Sequence, residues 1–142
     1  MGKRVEKYIV KTPDEMQRLG ASLADTLSGG DIILLDGELG AGKTVFCKGL
    51  AKGLDVNATV LSPTFTLMNE YFGRVKFCHF DAYRLADEDE AIGAGLSDFF
   101  GASDRICAVE WWENIAGLFD GYDTVKIGIA KLGDHREVTV ER

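Results

Sequence analysis

Apolar positions recur along the chain with two different periods, and their alternation lays out strands and helices in turn. Residues 7–10 hold the β-prone Tyr8, Ile9 and Val10 and predict an opening strand. Thr12-Pro13-Asp14-Glu15 then predicts a helix start, with Thr12 as cap, Pro13 in the first helical position and Glu15 completing a capping box. Met16, Leu19, Leu23 and Leu27 follow at helical spacing, and Gly29-Gly30 is expected to end this amphipathic helix. The run 32–35 is apolar throughout, which marks a strand buried on both faces of a sheet flanked by helices. A glycine-rich turn and a second helix, 43 to about 54, come directly after it.

Residues 64–71 and 75–81 read as strands joined by the short turn Phe72-Gly73-Arg74, hence antiparallel to each other. The segment 85–100 begins acidic and predicts a short helix followed by packed Leu96, Phe99 and Phe100. Residues 106–109 are a second candidate central strand, and 123–130 with 136–140 predict a closing hairpin through Leu132-Gly133-Asp134. Strand and helix alternating, with strands at the end, give an α/β fold whose central sheet mixes parallel and antiparallel neighbours and is flanked by helices. The 142 residues are 46% hydrophobic, enough for one core and too few for two, so 1–142 reads as a single domain without repeat or linker.

Charge narrows the partners. With 23 acidic against 16 basic residues the net charge is −7, and no Lys/Arg-rich stripe offers a phosphate backbone a docking face. Direct binding of DNA or RNA is therefore not expected. No apolar stretch approaches the ~18 residues a membrane span needs, and residues 1–11 hold no apolar signal core, so the protein is expected in the cytoplasm with no membrane partner. Met1-Gly2 opens like an acylation site, but Glu6 stands where Ser or Thr is required. The spacings of 31 and 29 residues between Cys47, Cys78 and Cys107 match neither a zinc site nor a redox pair, and reduced, buried thiols are expected. His79 and His135 show no metal-ligand spacing and read as structural residues.

One segment carries explicit chemistry. Gly37-Glu38-Leu39-Gly40-Ala41-Gly42-Lys43-Thr44 matches G-x-x-x-x-G-K-[ST] between a buried strand and a helix, the context that a phosphate-binding P-loop requires. Glycines let the backbone N–H groups of Glu38, Leu39, Gly40, Ala41, Gly42, Lys43, Thr44 and Val45 approach phosphate oxygens at a positive helix N-terminus. Lys43 is expected on the β- and γ-phosphates of ATP, and the Thr44 hydroxyl on Mg²⁺. Such a site also needs a strand-end carboxylate, and two qualify: Glu110 after the apolar run 106–109, and Asp81 after 75–80. Glu110 is the better metal-site acid, and Asp81 is suited to orienting water or sensing the γ-phosphate.

Ser62-Pro63-Thr64-Phe65-Thr66, between the loop and Asp81, offers either a hydroxyl near the γ-phosphate or merely a proline turn. Trp111 and Trp112 read as core or a hydrophobic patch, because no basic groove accompanies them. Asp87-Glu88-Asp89-Glu90 reads as a solvated helix start. Three activities fit these residues: an ATP-hydrolysing switch subunit, a small P-loop metabolite kinase, and a non-hydrolysing module gated by nucleotide. A kinase usually shields its phosphoryl group under an arginine-rich lid, and only Arg84 and Arg105 are basic between Asp81 and Glu110.

Four segments in this order, Gly-Glu-Leu-Gly-Ala-Gly-Lys-Thr, Ser-Pro-Thr-Phe-Thr, His-Phe-Asp-Ala-Tyr-Arg-Leu and Val-Glu-Trp-Trp-Glu, together resemble the TsaE (YjeE) ATPases of bacterial tRNA threonylcarbamoyladenosine synthesis. The resemblance implies a small P-loop ATPase with a mixed sheet, using ATP and Mg²⁺. Its partners would be TsaD-like and TsaB-like proteins, which modify the adenosine beside the anticodon, and it would meet tRNA only through them. Its ATP cycle would reset that complex between turnovers. Residue by residue, the resemblance implies Lys43 and Thr44 as phosphate and Mg²⁺ ligands, Glu110 as the second metal-site residue, and Asp81 and Thr64 in hydrolysis and switching. Trp111 matches the aromatic position after the metal-site Glu, and Glu15 and Arg136 resemble positions near the adenine.

Overall fold

The strand expected to be buried on both faces lies at the centre of a seven-stranded sheet. The computed structural model describes residues 4–38, 40–60 and 67–142. Along the chain come β1 (Val5–Val10), α1 (Pro13–Ala24), β2 (Ile32–Gly37), α2 (Lys43–Gly53), β3 (Met68–Phe72), β4 (Lys76–Asp81), α3 (Glu88–Gly93), β5 (Arg105–Glu110), β6 (Thr124–Leu132) and β7 (His135–Glu141). Short 3₁₀ turns occupy Leu96–Asp98 and Trp112–Phe119, the latter kinked at Ile115.

The sheet order is β1-β7-β6-β2-β5-β4-β3. β6, β2, β5 and β4 run parallel, while β7 is antiparallel to β6, β1 to β7, and β3 to β4. The mixed sheet expected from the sequence is thus a parallel centre with antiparallel margins. Because successive strand residues face opposite ways, β2 feeds two cores. Ile33 and Leu35 pack with Phe77, Ile106 and Ile127 beneath α1 and α2, whereas Ile32 and Leu34 pack with Phe80, Val109, Ile115 and Phe119 on the α3 side. All three cysteines are free and buried. Among the described residues no helix is long and apolar enough to cross a membrane.

Two local expectations need correction. α1 stops at Ala24, well before Gly29-Gly30, because the Thr26 backbone N–H and hydroxyl both bond the Leu23 carbonyl (2.9 and 2.7 Å) and Leu27 N–H turns to Ala24 (3.2 Å). These i→i−3 bonds tighten the chain out of the helix, yet Leu27 remains buried on the same core, which is why its spacing resembled a further turn. Gly29 instead lies so close to the Ser103 carbonyl that a Cβ would collide with it. At the other end, Thr12 caps Glu15 N–H at 3.1 Å as expected, but the Glu15 carboxylate reaches past the cap to Lys11 N–H, at 2.7 Å.

Helices α1 and α2 touch through glycine. A Cβ on Gly49 would overlap the Gln17 backbone, and one on Gly20 would overlap the backbone of Phe46 and Leu50. This contact holds α1, and with it the loop from β1, against the helix that follows the P-loop.

Candidate functional site

The loop expected to cradle phosphate joins β2 to α2, and Leu39, one of its residues, lies outside the described residues. Gly40 and Gly42 have φ of +81° and +116°, backbone that side-chain-bearing residues rarely adopt. Gly42 is the N-cap of α2 and supplies no side-chain cap. The first helical bond runs from Phe46 N–H to Gly42 O at 2.9 Å, so α2 does not consume the N–H groups of Lys43, Thr44 and Val45, which among the described residues are left to meet an anion. From the far side, Arg136 on β7 donates Nε–H to the Ala41 carbonyl at 3.1 Å, tying the closing hairpin to the loop.

Parallel pairing brings the two acids together. Asp81 and Glu110 are register partners at the ends of β4 and β5, and Leu35, two residues before Gly37, is paired with Glu110 on the other side. All three strand ends therefore open into one crevice, where ligands of open α/β sheets bind. The Lys43 ammonium lies 3.4 Å from Glu110 Oε1 and 5.0 Å from the centre of the Trp111 ring. Both charged side chains are about nine-tenths buried, at 11% and 9% exposure. Glu110 Oε2 is held at 2.7 Å by His79 Nε2, so each carboxylate oxygen has its own partner.

Burial raises the carboxyl of Glu110, but His79 and Lys43 outweigh it and hold the group below its ordinary pKa, as a carboxylate. Asp81 moves the other way: burial raises it, the Tyr83 N–H bonded to its Oδ1 at 2.9 Å opposes that, and the charge of Glu110 adds to it. Two acids side by side are thus driven apart in proton affinity, with Asp81 the weaker acid. Burial works against a charged His79, and the Cys47 sulfur 3.7 Å away together with Glu110 overcomes it, raising that imidazole.

Beside the loop, a cavity of about 320 Å³ opens between the β1–α1 junction (Val10, Thr12, Pro13, Met16), the P-loop side (Gly40, Gly42, Val45) and the β6–β7 hairpin (Asp134, Arg136). Its volume is at the lower end for small-molecule pockets. Arg136 is on this wall; Glu15 is not among the described lining residues, its carboxylate being turned to Lys11. Thr64, with Ser62, Pro63 and Thr66, lies outside the described residues. Among those described, no group of three or more His, Cys, Asp or Glu stands ready as a metal cage. The donor set nevertheless suits Mg²⁺, whose sites use one or two protein oxygens with the rest from phosphate and water: Glu110 is a buried carboxylate already facing a cation, and Thr44 follows Lys43 in the first turn of α2.

Three contributors are not evident in the sequence: His79, the Trp112–Asp36 pair and Asn114. His79 was assigned a structural role, and only its i, i+2 relation to Asp81 on a strand hinted that both face one way. Trp112 Nε1–H donates to Asp36 Oδ1 at 3.1 Å, anchoring the segment after Glu110 to the end of β2. That anchoring accompanies a left-handed Trp111 (φ +58°), whose ring meets Tyr83 edge-on at 5.0 Å. Asn114 donates Nδ2–H to the Ala82 carbonyl at 3.1 Å, joining the chain after Asp81 to the chain after Glu110. The acidic run 87–90 is the helix start expected of it and caps its own helix, Asp87 accepting Glu90 N–H and Glu90 accepting Ala86 N–H, while Glu88 accepts Gly117 N–H.

Known proteins resemble this arrangement along almost its whole length. Residues 10–138 match the family model described as threonylcarbamoyl adenosine biosynthesis protein TsaE. The chain is 37% identical over 136 residues to the tRNA threonylcarbamoyladenosine biosynthesis protein TsaE of Treponema pallidum, covering 94% of this chain and 98% of that one. It is 38% identical over 135 residues to the protein of that name from Bacillus subtilis, covering 94% and 83%. The crystal structure of Bacillus subtilis YdiB superposes with a TM-score of 0.83 at 31% identity, covering 99% of this chain and 87% of that one. By sequence over residues 10–138, and by fold, the chain belongs to the TsaE family of threonylcarbamoyl adenosine biosynthesis proteins.

Proposed function

We propose that the chain is a Mg²⁺-dependent ATP-binding and ATP-hydrolysing subunit of the tRNA threonylcarbamoyladenosine machinery, one ATPase domain over 1–142, which resets a TsaD/TsaB complex between turnovers in the cytoplasm. The names of its relatives support the pathway. The observation that carries the ATPase reading is the Lys43–Glu110 pair at 3.4 Å, which puts a P-loop cation and a buried strand-end carboxylate at the mouth of one crevice.

In this reading the first-turn N–H groups of α2 receive the phosphates, and Lys43 exchanges Glu110 for the β- and γ-phosphate oxygens. Thr44 and Glu110 hold Mg²⁺, which when bound neutralises phosphate charge as it develops. Asp81, beside Glu110, orients the attacking water or senses the γ-phosphate. The cavity between β1, the P-loop and Arg136 takes the base, and Glu15 acts on it only through its bond to Lys11, one of the lining residues. With a net charge of −7, the chain meets tRNA through its partners and not directly.

The test is release of free phosphate from ATP, measured with and without purified TsaD and TsaB. Slow turnover alone and marked stimulation by the pair are expected. Radiolabel from γ-labelled ATP arriving on a metabolite before free phosphate would make the protein a kinase instead, and no turnover even with both partners would make it a nucleotide-gated binding module.

A further inference from the structure

His79 sits between α2 and the sheet with no solvent exposure, on the face of β4 that also carries Asp81. Its ring stacks on Phe77 at 6.2 Å and approaches Cys47 of α2. Nε2 donates to Glu110 Oε2 at 2.7 Å, yet Nδ1 has no hydrogen-bond partner among the described residues. A side chain needed only to fill this space would do so better without a stranded polar nitrogen. What the imidazole supplies that an apolar residue cannot is the bond to Glu110.

We propose that His79 is a positioning residue for the site's divalent cation: by holding Oε2 of Glu110 it keeps Oε1 turned to the P-loop after Lys43 leaves for the phosphates. The inference rests on the Mg²⁺–nucleotide reading above. A carboxylate fixed at one oxygen presents the other in a single orientation, and loss of such a supporting bond typically weakens metal affinity about 10- to 100-fold.

Calorimetric titration of the full chain with a non-hydrolysable ATP analogue, with and without Mg²⁺, tests this through the gain in affinity that Mg²⁺ produces. His79→Met and His79→Gln are both unbranched, but only Gln keeps a donor. We expect Met to cut the Mg²⁺-induced gain about tenfold or more and leave metal-free affinity within about twofold, Gln to restore most of the gain, and Met to add nothing in a Glu110→Gln background. Equal losses with and without Mg²⁺, no rescue by Gln, or additive losses in the double variant overturn the proposal. A wild-type gain that Glu110→Gln abolishes and His79→Met leaves intact overturns this inference alone. A wild-type protein with no gain overturns the metal reading and this inference with it. Should His79→Met fail to fold, nitrogen NMR of the wild type decides, since the chain has only 2 histidines to assign: a slowly exchanging His79 Nε2 proton that survives loading with Mg²⁺ and nucleotide supports the proposal, and its loss on loading overturns it.

Discussion

Lys43 Nζ and Glu110 Oε1 lie 3.4 Å apart, although 67 positions (110 − 43) separate them in the chain. The P-loop cation is thereby neutralised by the acid read as its metal-site neighbour, and in the proposed function it exchanges that acid for phosphate. Lys43→Ala removes the loop's side-chain cation and leaves Glu110 with His79 alone. Nucleotide affinity should fall by at least tenfold, about 1.4 kcal/mol, and hydrolysis should be lost. Calorimetric titration with ATP checks this, and unchanged affinity would count heavily against the site.

Asp81 and Glu110 differ in environment although they are register partners, and their variants should separate accordingly. Glu110→Gln is expected to lower Mg²⁺-dependent nucleotide affinity together with turnover. Asp81→Asn should leave ATP·Mg²⁺ binding within about tenfold, roughly 1.4 kcal/mol, while cutting turnover much more, as when a transition-state interaction is lost. Binding constants and single-turnover rates showing the reverse pattern would exchange the two roles.

Asp36 gives the pH dependence a sign. Burial raises its carboxyl from 3.8 to about 7, the adjoining Glu113 adds to the rise, and the Trp112 N–H and Lys126 act against it. Between those values the folded state keeps a proton that the unfolded chain has released, so this group's contribution to stability falls as pH rises through the interval and is flat above it. Asp36→Asn retains an acceptor for Trp112 and cannot ionise. The variant should match the wild type in melting temperature below pH 4 and exceed it at pH 8. Parallel melting curves for the two proteins across that range would expose a wrong sign.

The same substitution should have opposite effects at two helical glycines. Gly49→Ala drives a methyl into the Gln17 backbone where α1 crosses α2. Overpacking of this kind costs roughly 1–3 kcal/mol. Gly93, at the end of α3, has nothing within 4 Å of a Cβ. Gly93→Ala should therefore stabilise by about 0.5–1 kcal/mol through reduced chain entropy. Urea unfolding midpoints at constant slope report both.

What was legible along the chain was what depends on near neighbours. The apolar run 32–35 announced a strand covered on both faces, Thr12-Pro13 announced a helix start, and the glycine spacing before Lys43 announced a phosphate loop, because each is decided within a turn or a strand of its own residues. The same locality misjudged the end of α1, where a Thr26 hydroxyl competing for the Leu23 carbonyl overrode a spacing that Leu27 continued. Asp81 and Glu110 could each be named as strand-end acids, but nothing local says which strands adjoin.

That was decided by the order β6-β2-β5-β4, which sets Asp81 opposite Glu110 and, from two residues earlier on β4, brings His79 within 2.7 Å of its carboxylate. Periodicity encodes which face of a strand is apolar; it carries no record of the neighbouring strand or its register. A histidine that reads as core filling in one dimension becomes a partner of the site's acid in three. The P-loop motif and the chemistry expected of it were thus legible in the sequence alone, and the support of Glu110 by His79, the anchoring of Trp112 on Asp36 and the cavity beside Arg136 were set only by long-range pairing.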